Sequence, residues 1–277
     1  RFVVRDQLAA IGISPAAILI EPSARNTAPA VLAATLWLEQ QAPGAIMLVA
    51  PSDHLMPDAA SFRAVALAAT SRAAEGGIVT FGITPTAPET GYGYLELAGP
   101  ARPGEAAPLR RFVEKPELAA AREMTASGRH LWNAGIFLFR SDVMSRAFAT
   151  LAPELVPPVT RAVDAAQADL TFLRLAPEAW NEAQSISIDY AIMEKATGLW
   201  AVPYGGGWTD LGGWAAIWSE GPATPDGVVQ QGAGHAWAEA HVDGLGWVGF
   251  DVSNKICSDD RYVRVCPDSQ GRYRITG

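Results

Sequence analysis

A chain of 277 residues has room for one large domain or two smaller ones, and 49% apolar against 18% charged residues is the balance of a globular protein with a substantial core. A formal charge of −8 argues against a general nucleic-acid binder, which needs a cationic face to displace counterions, but it allows a local cationic pocket. The two cysteines, Cys257 and Cys266, make no disulfide framework and point to a reducing cytoplasm, and no apolar run reaches the roughly 18–20 residues of a membrane span.

The chain opens on Arg1-Phe2-Val3-Val4, which lacks the layout of a signal peptide and already belongs to a helix over 2–11 closed by Gly12. A short strand over 17–20 leads into Glu21-Pro22-Ser23-Ala24-Arg25-Asn26-Thr27-Ala28-Pro29, then a helix to about residue 41 with Thr27 as N-cap. Arg25 and Asn26 at that helix start suit either a phosphate or base contact or a capped surface turn. The continuous apolar run 46–50 predicts a strand buried on both faces, ending in Pro51-Ser52-Asp53-His54. A helix over 62–74, the pair Gly76-Gly77 and a strand over 78–83 complete a strand–helix alternation. That alternation predicts an α/β fold with a mostly parallel, Rossmann-like sheet flanked by helices, binding its ligand beyond the carboxyl ends of the strands.

Glu89-Thr90-Gly91-Tyr92-Gly93-Tyr94 offers glycines for close backbone approach and a carboxylate for sugar hydroxyls, or simply a tight aromatic turn. The strand over 109–113 runs into Glu114-Lys115-Pro116, where Lys115 meets a phosphate as a point charge or stays an ordinary exposed lysine. A helix over 117–127 closed by Gly128 precedes Leu131-Trp132-Asn133-Ala134-Gly135 and a strand over 136–139. Asn133 is the polar member of that apolar stretch, either a ligand contact or satisfied by backbone. Helices over 141–150 and 159–168, a Ser187-capped helix to 196 and a strand over 199–203 lead through Gly205-Gly206-Gly207 to Asp210. Asp53 and Asp210 each stand at the edge of a regular element, and such a fold is expected to bring both carboxylates to one crevice. There they suit a Mg²⁺ ion holding a nucleoside triphosphate. His54 is a ligand or, more simply, a packed or capping residue, and the four histidines are not spaced as a zinc site.

Seven segments in order, EPSARNTAP, the strand ending PSDH, ETGYGY, FVEKP, WNAGIF, SISIDYAIMEKA and GGWTDLGGW, resemble the mannose-1-phosphate guanylyltransferases, within the sugar-phosphate nucleotidyltransferases. The resemblance spans about residues 1–232. It implies the nucleotide-diphospho-sugar transferase type of fold and an attack by mannose 1-phosphate on the α-phosphate of GTP, giving GDP-mannose and pyrophosphate. By matching motif it implies Asp53 and Asp210 on Mg²⁺, Lys115 on the sugar phosphate, and Glu89, Gly91, Glu114 and Asn133 along the sugar. It also implies Arg25, Asn26 and Asp53 facing the nucleotide. Catalysis of such a transfer is positioning plus charge neutralisation and needs no protein nucleophile. A homo-oligomer is compatible with this reading.

In the family a glycine-rich loop with Arg and Lys precedes EPSARNTAP, and nothing of it is found in this sequence. Such a loop cradles phosphates and its strand is central. Weak or absent turnover and an exposed sheet edge are the corresponding expectations, with a non-catalytic nucleotide-sugar binder as the alternative function.

Residues 233–277 read as a hairpin-rich β extension, and 233–265 resemble part of a bacterial transglutaminase-like domain. That likeness implies a thiol acyl transferase or protease, with His235 and Asp251 as the last two members of a Cys–His–Asp triad. The family's cysteine precedes the histidine, whereas Cys257 and Cys266 follow Asp251. The dyad is therefore read as orphaned, and the join as a chimeric or misassembled frame.

Overall fold

The computed structural model describes residues 2–210 and the strands 237–242, 246–251, 264–267 and 273–276. In chain order the elements are α1 (Phe2–Ala10), β1 (Ile18–Ile20), α2 (Thr27–Gln41), β2 (Ile46–Val49), β3 (His54–Leu55), α3 (Ala59–Ala74), β4 (Ile78–Ile83), β5 (Tyr94–Leu97) and β6 (Ala107–Val113). They continue with α4 (Leu118–Ala126), β7 (His130–Arg140), α5 (Ser141–Leu151), α6 (Val156–Asp164), β8 (Gln167–Asp169), β9 (Phe172–Arg174), α7 (Pro177–Trp180), a π-helix over Asp189–Met193, β10 (Leu199–Tyr204) and β11 (Thr209–Asp210). Four later strands follow: β12 (Trp237–Val242), β13 (Gly246–Asp251), β14 (Arg264–Pro267) and β15 (Tyr273–Thr276).

The main sheet runs β4-β10-β6-β5-β7-β2-β12-β13-β1-β9-β8, and β4 also pairs with β7. Side chains of a strand alternate between faces, and β7 shows how this makes two cores. Phe137 and Phe139 join α2, α5 and α6 on one face, in a cluster with Leu32, Leu38, Met144, Phe148 and Val159. Ile136 and Leu138 join α3 on the other, with Ala66, Ala69, Ala73, Val79, Phe81 and Val202. The sheet thus has helices on both faces, as the strand–helix alternation requires. Leu38 is fully buried, and truncating such a side chain to alanine costs about 2–5 kcal/mol because the cavity left behind does not collapse.

The α/β class holds, but the expected mostly parallel register needs correction. β4 and β10 pair in parallel along their whole length, and β1 is parallel to β9 and to β13. β7, however, is antiparallel to β2, β4 and β5, and β6 is antiparallel to β5 and β10. The rule of parallel crossovers fails where strands follow one another without an intervening helix, as β5 and β6 do, and where β7 enters the sheet in reverse.

Four local expectations also change. β2 alternates between buried and half-buried positions instead of being buried on both faces. The N-cap of α2 is Asn26, whose side chain accepts from the Thr27 N–H. The helix foreseen over 159–168 stops at Asp164, and 167–169 turn back as β8, paired with β9. The helix expected from Ser187 is a π-helix, with Ser187 Oγ accepting from the Tyr190 N–H at 3.3 Å. The hairpin β12–β13 is antiparallel as the sequence suggests, and it lies between β2 and β1, so neither of those strands is an open edge. Among the described residues no helix is long and apolar enough to cross a membrane.

Candidate active site

The two acidic turns meet through a two-stranded ribbon: β3 and β11 pair antiparallel, Thr209 opposite Leu55 and Asp210 opposite His54. This puts Asp53, one residue before β3, close enough to Asp210 to raise its carboxyl pKa. Burial is the larger cause of that rise, and a hydrogen bond from the Tyr92 hydroxyl opposes it. The Trp208 indole donates to His54 Nδ1 at 3.2 Å. An indole N–H is only a donor, so Nδ1 is the acceptor and the imidazole proton sits on Nε2. Burial lowers His54 to a pKa of about 4, against the pull of Asp53, so it is a neutral, packed residue near pH 7. Tyr92 stacks edge-on against both Trp208 and Trp132, their ring centroids 5.3 Å and 5.2 Å away, and so braces the ribbon.

Facing the ribbon is a cavity of about 590 Å³ whose lining includes Asn26, Thr27, His54, Gly91, Tyr92, Glu114, Lys115, Asn133, Asp189 and Asp210. Local sequence builds its far wall. In β7 the pairing with β4 slips between Asn133, opposite Gly82, and Phe137, opposite Thr80. Gly135 takes up the slack in the left-handed region at φ +66°, which a side chain rarely adopts. The bulge presents Asn133 at the cavity while Ile136 and Phe137 return to the cores. Gly93 is needed for a different reason: a Cβ there would lie 2.6 Å from Glu114 Oε2 and 3.0 Å from Phe112 Cζ. Gly91 faces open space.

The loop 185–188 is stitched to the start of α2. Ala28 N–H donates to Ile186 O, Ile186 N–H to Arg25 O, and Ile188 N–H to Thr27 Oγ1 at 2.8 Å. That stitching carries Asp189 into the cavity wall, where it accepts from Asn133 Nδ2 at 3.0 Å. Burial lifts the Asp189 carboxyl to about 6, against the Lys115 charge and the Asn133 hydrogen bond. Glu114 is lifted to about 7, first by burial and then by Asp189, with Lys115 at 3.5 Å opposing. Its backbone N–H donates to Glu194 Oε1 at 2.9 Å. Lys115 therefore stands beside two acids, Glu114 and Asp189, its backbone at φ +45°, with its side chain half exposed.

Of the residues singled out from the sequence, Gly91, Glu114, Lys115, Asn133, Asn26 and Asp210 line this cavity. Asp53, one residue before β3, is not among the lining residues and reaches the site through its charge on Asp210. Glu89 lines a neighbouring cavity that shares Lys115 with the first. Arg25 is not brought in: its guanidinium donates to Asn181 O at 2.8 Å and Asn181 Oδ1 at 3.2 Å. His235 lies outside the described residues, as does Cys257, and Asp251 is described only as the last residue of β13. Sequence reasoning missed Asp189, Tyr92 and Trp208 as parts of the site. All three lie in quoted motifs, and the usable signal was a charged residue inside an otherwise apolar helix start and two aromatics flanking glycines.

The chain's donors suit a divalent cation. Among the described residues no group of three or more His, Cys, Asp or Glu side chains is arranged to hold a metal alone. The neighbouring Asp53 and Asp210 carboxylates, whose mutual repulsion contributes to the raised Asp210 pKa, supply a pair that a cation relieves once ligand oxygens complete its shell.

The sequence profile of the nucleotidyl transferase family matches residues 1–226. The xanthan biosynthesis protein XanB of Xanthomonas campestris pv. campestris is 43% identical over 217 residues, which is 78% of this chain and 46% of that protein. A mannose-1-phosphate guanylyltransferase of Sinorhizobium fredii is 40% identical over 233 residues, 84% of this chain and 45% of that one. The chain thus spans about half the length of the curated relatives it matches. Among solved structures, mannose-6-phosphate isomerase from Helicobacter pylori superposes with a TM-score of 0.67 at 27% identity, covering 76% of this chain and 80% of that one. The family match ends before the His235 and Asp251 region, and the transglutaminase-like resemblance of that region gains no support.

Proposed function

The chain belongs to the nucleotidyl transferase family, and from that premise we propose that it makes GDP-mannose and pyrophosphate from GTP and mannose 1-phosphate. The observation that supports the reading is the ribbon that pairs Asp210 with His54, the residue after Asp53, at one cavity with Lys115, Glu114 and Asn133. An oxygen of the sugar phosphate attacks the α-phosphorus of GTP, a new P–O bond forms, and the bond to the bridging oxygen breaks to release pyrophosphate. Both reactants are anions, so the protein's task is to hold them together and offset their repulsion. Asp53 and Asp210 would hold a divalent cation, Mg²⁺ in our reading, which when bound would supply charge neutralisation for the triphosphate.

Lys115 supplies the second positive charge, directed at the sugar phosphate, with Glu114 3.5 Å from its ammonium. Glu114 and Asn133 receive sugar hydroxyls beside the open space at Gly91, with Glu89 in the neighbouring cavity that shares Lys115. Asn26 and Thr27, at the positive end of the α2 dipole, face the nucleotide. Arg25 acts on that loop through Asn181.

Pyrophosphate release from GTP and mannose 1-phosphate, with and without Mg²⁺, is the test. Asp53→Asn or Asp210→Asn should lower the rate at least about a hundredfold while leaving the protein folded. Binding of GDP-mannose without any pyrophosphate release would favour a nucleotide-sugar binder instead.

A further inference from the structure

The Asn133 carboxamide is held at both ends. Thr80 Oγ1 donates to its Oδ1 at 2.8 Å, and its Nδ2 donates to Asp189 Oδ1 at 3.0 Å. Thr80 Oγ1 also lies 3.0 Å from Ile136 O. A hydroxyl carries one proton, so Thr80 satisfies only one of these two acceptors at a time. The second acceptor makes a different assignment available without moving a heavy atom from its place. Turning the carboxamide by half a turn exchanges oxygen and nitrogen within the same outline. Nδ2 then donates to Thr80 Oγ1, Thr80 donates to Ile136 O, and Oδ1 faces Asp189. That arrangement closes only if Asp189 has taken up a proton from solvent and donates it to Oδ1. With Asp189 ionised, two acceptors would confront each other.

Thr80 is buried and absent from the cavity wall, whereas Asp189 is part of that wall. The end of Asn133 that meets Asp189 is therefore the end that meets the cavity. We infer that Asp189 is a positioning residue: its protonation decides whether Asn133 offers the cavity a spare N–H donor or a spare carbonyl lone pair. This rests on the proposed placement of Asn133 on the sugar side.

The surroundings put the change within reach of ordinary pH. Burial holds the Asp189 carboxyl near 6. Lys115 and Glu194 face it with opposite effects, and Glu114 is near enough for each carboxyl to feel the other. On its own π-helix and just beyond, Tyr190 is partly exposed and Lys195 Nζ points to Leu151 O at 3.4 Å. In the packed helix α5, Asp142 pairs with Arg146 at 2.8 Å, and the first turn of α2 carries no acidic residue. Asp189 is thus ionised at pH 7, with the donor presented, and protonated at pH 5, with the acceptor presented.

The test follows the Asn133 side-chain amide by ¹⁵N NMR from pH 5 to 8, and mannose 1-phosphate binding by calorimetry over the same range, for the protein and for Asp189→Asn. The expected result is an amide shift with a midpoint near 6 that is lost in Asp189→Asn. Between pH 7 and pH 5 the ratio of the two proteins' Kd values should change about tenfold, the size of one gained or lost hydrogen bond. The ligand phosphate's own titration is common to both proteins and cancels in that ratio. Thr80→Ser should keep the amide transition, and Asp189→Ser, whose hydroxyl does not titrate, should abolish it, which decides the matter even if Asp189→Asn does not fold. An amide that follows one pH course in the protein, in Asp189→Asn and in Asp189→Ser overturns the inference. An amide that switches as expected, with a constant Kd ratio, upholds the switch and removes Asn133 from the sugar side.

Discussion

Gly93→Ala tests the close packing behind the cavity. The added Cβ would sit 2.6 Å from Glu114 Oε2, 3.0 Å from Phe112 Cζ and 3.3 Å from Asn133 Cβ. Heavy atoms in contact prefer about 3.5–4.0 Å, so all three are too near. Phe112 belongs to the main core and Asn133 Cβ is fixed to β7. The Glu114 carboxylate must therefore move, although it is almost buried beside Lys115. Overpacking of this kind costs about 1–3 kcal/mol. For a domain of this size each kcal/mol lowers Tm by about 2–4 °C, so a drop of about 2–12 °C is expected by calorimetry. Displacing Glu114 should also raise KM for mannose 1-phosphate by about tenfold, with a smaller change in kcat. Gly91→Ala is the control for stability, because nothing lies within 4 Å of its Cβ; its Tm should not move. A Gly93→Ala protein with the parent's Tm and KM would refute the packing argument.

Glu114 makes folding pH-dependent. Its pKa rises from 4.5 to about 7 on folding, so the native state binds more protons between those values, and stability is greatest below about 4.5 and declines as pH rises to about 7. Glu114→Gln should flatten that decline in urea unfolding at pH 5 and pH 7, leaving the part due to Asp189 below about 6; an unaltered slope would count against the burial of Glu114. Tyr92→Phe removes the hydroxyl that donates to Asp210 while keeping the ring between Trp132 and Trp208. Loss of a hydrogen bond to a carboxylate should cost about 1.5–3 kcal/mol in chemical denaturation, and an unchanged midpoint would mean that the ribbon stands without it.

Much of the site was legible as residue types at fixed places in short motifs. Asp53, Asp210, Lys115, Glu114 and Asn133 were each named from a turn or strand end, and the main-sheet helices followed from apolar periodicity and glycine stops. Asp189 was passed over because its motif read first as a helix start, and its importance comes from a partner 56 residues earlier, Asn133. Tyr92 reads locally as an aromatic edge, yet its role depends on Asp210, 118 residues on. Arg25 looked like a phosphate contact until Asn181 took its guanidinium.

Local chemistry explains the division. The ends of α1, α3 and α4 beside Gly12, Gly76 and Gly128 follow from each residue's own φ/ψ limits and from neighbours a few positions away, and those the amino-acid sequence determined by itself. Whether strands pair in parallel or in reverse, which acids share one buried cluster, and how far burial lifts Glu114 and Asp189 depend on distances through space and on the exclusion of water. Only the tertiary structure decided these, because desolvation and Coulomb terms act between groups that the chain order keeps far apart.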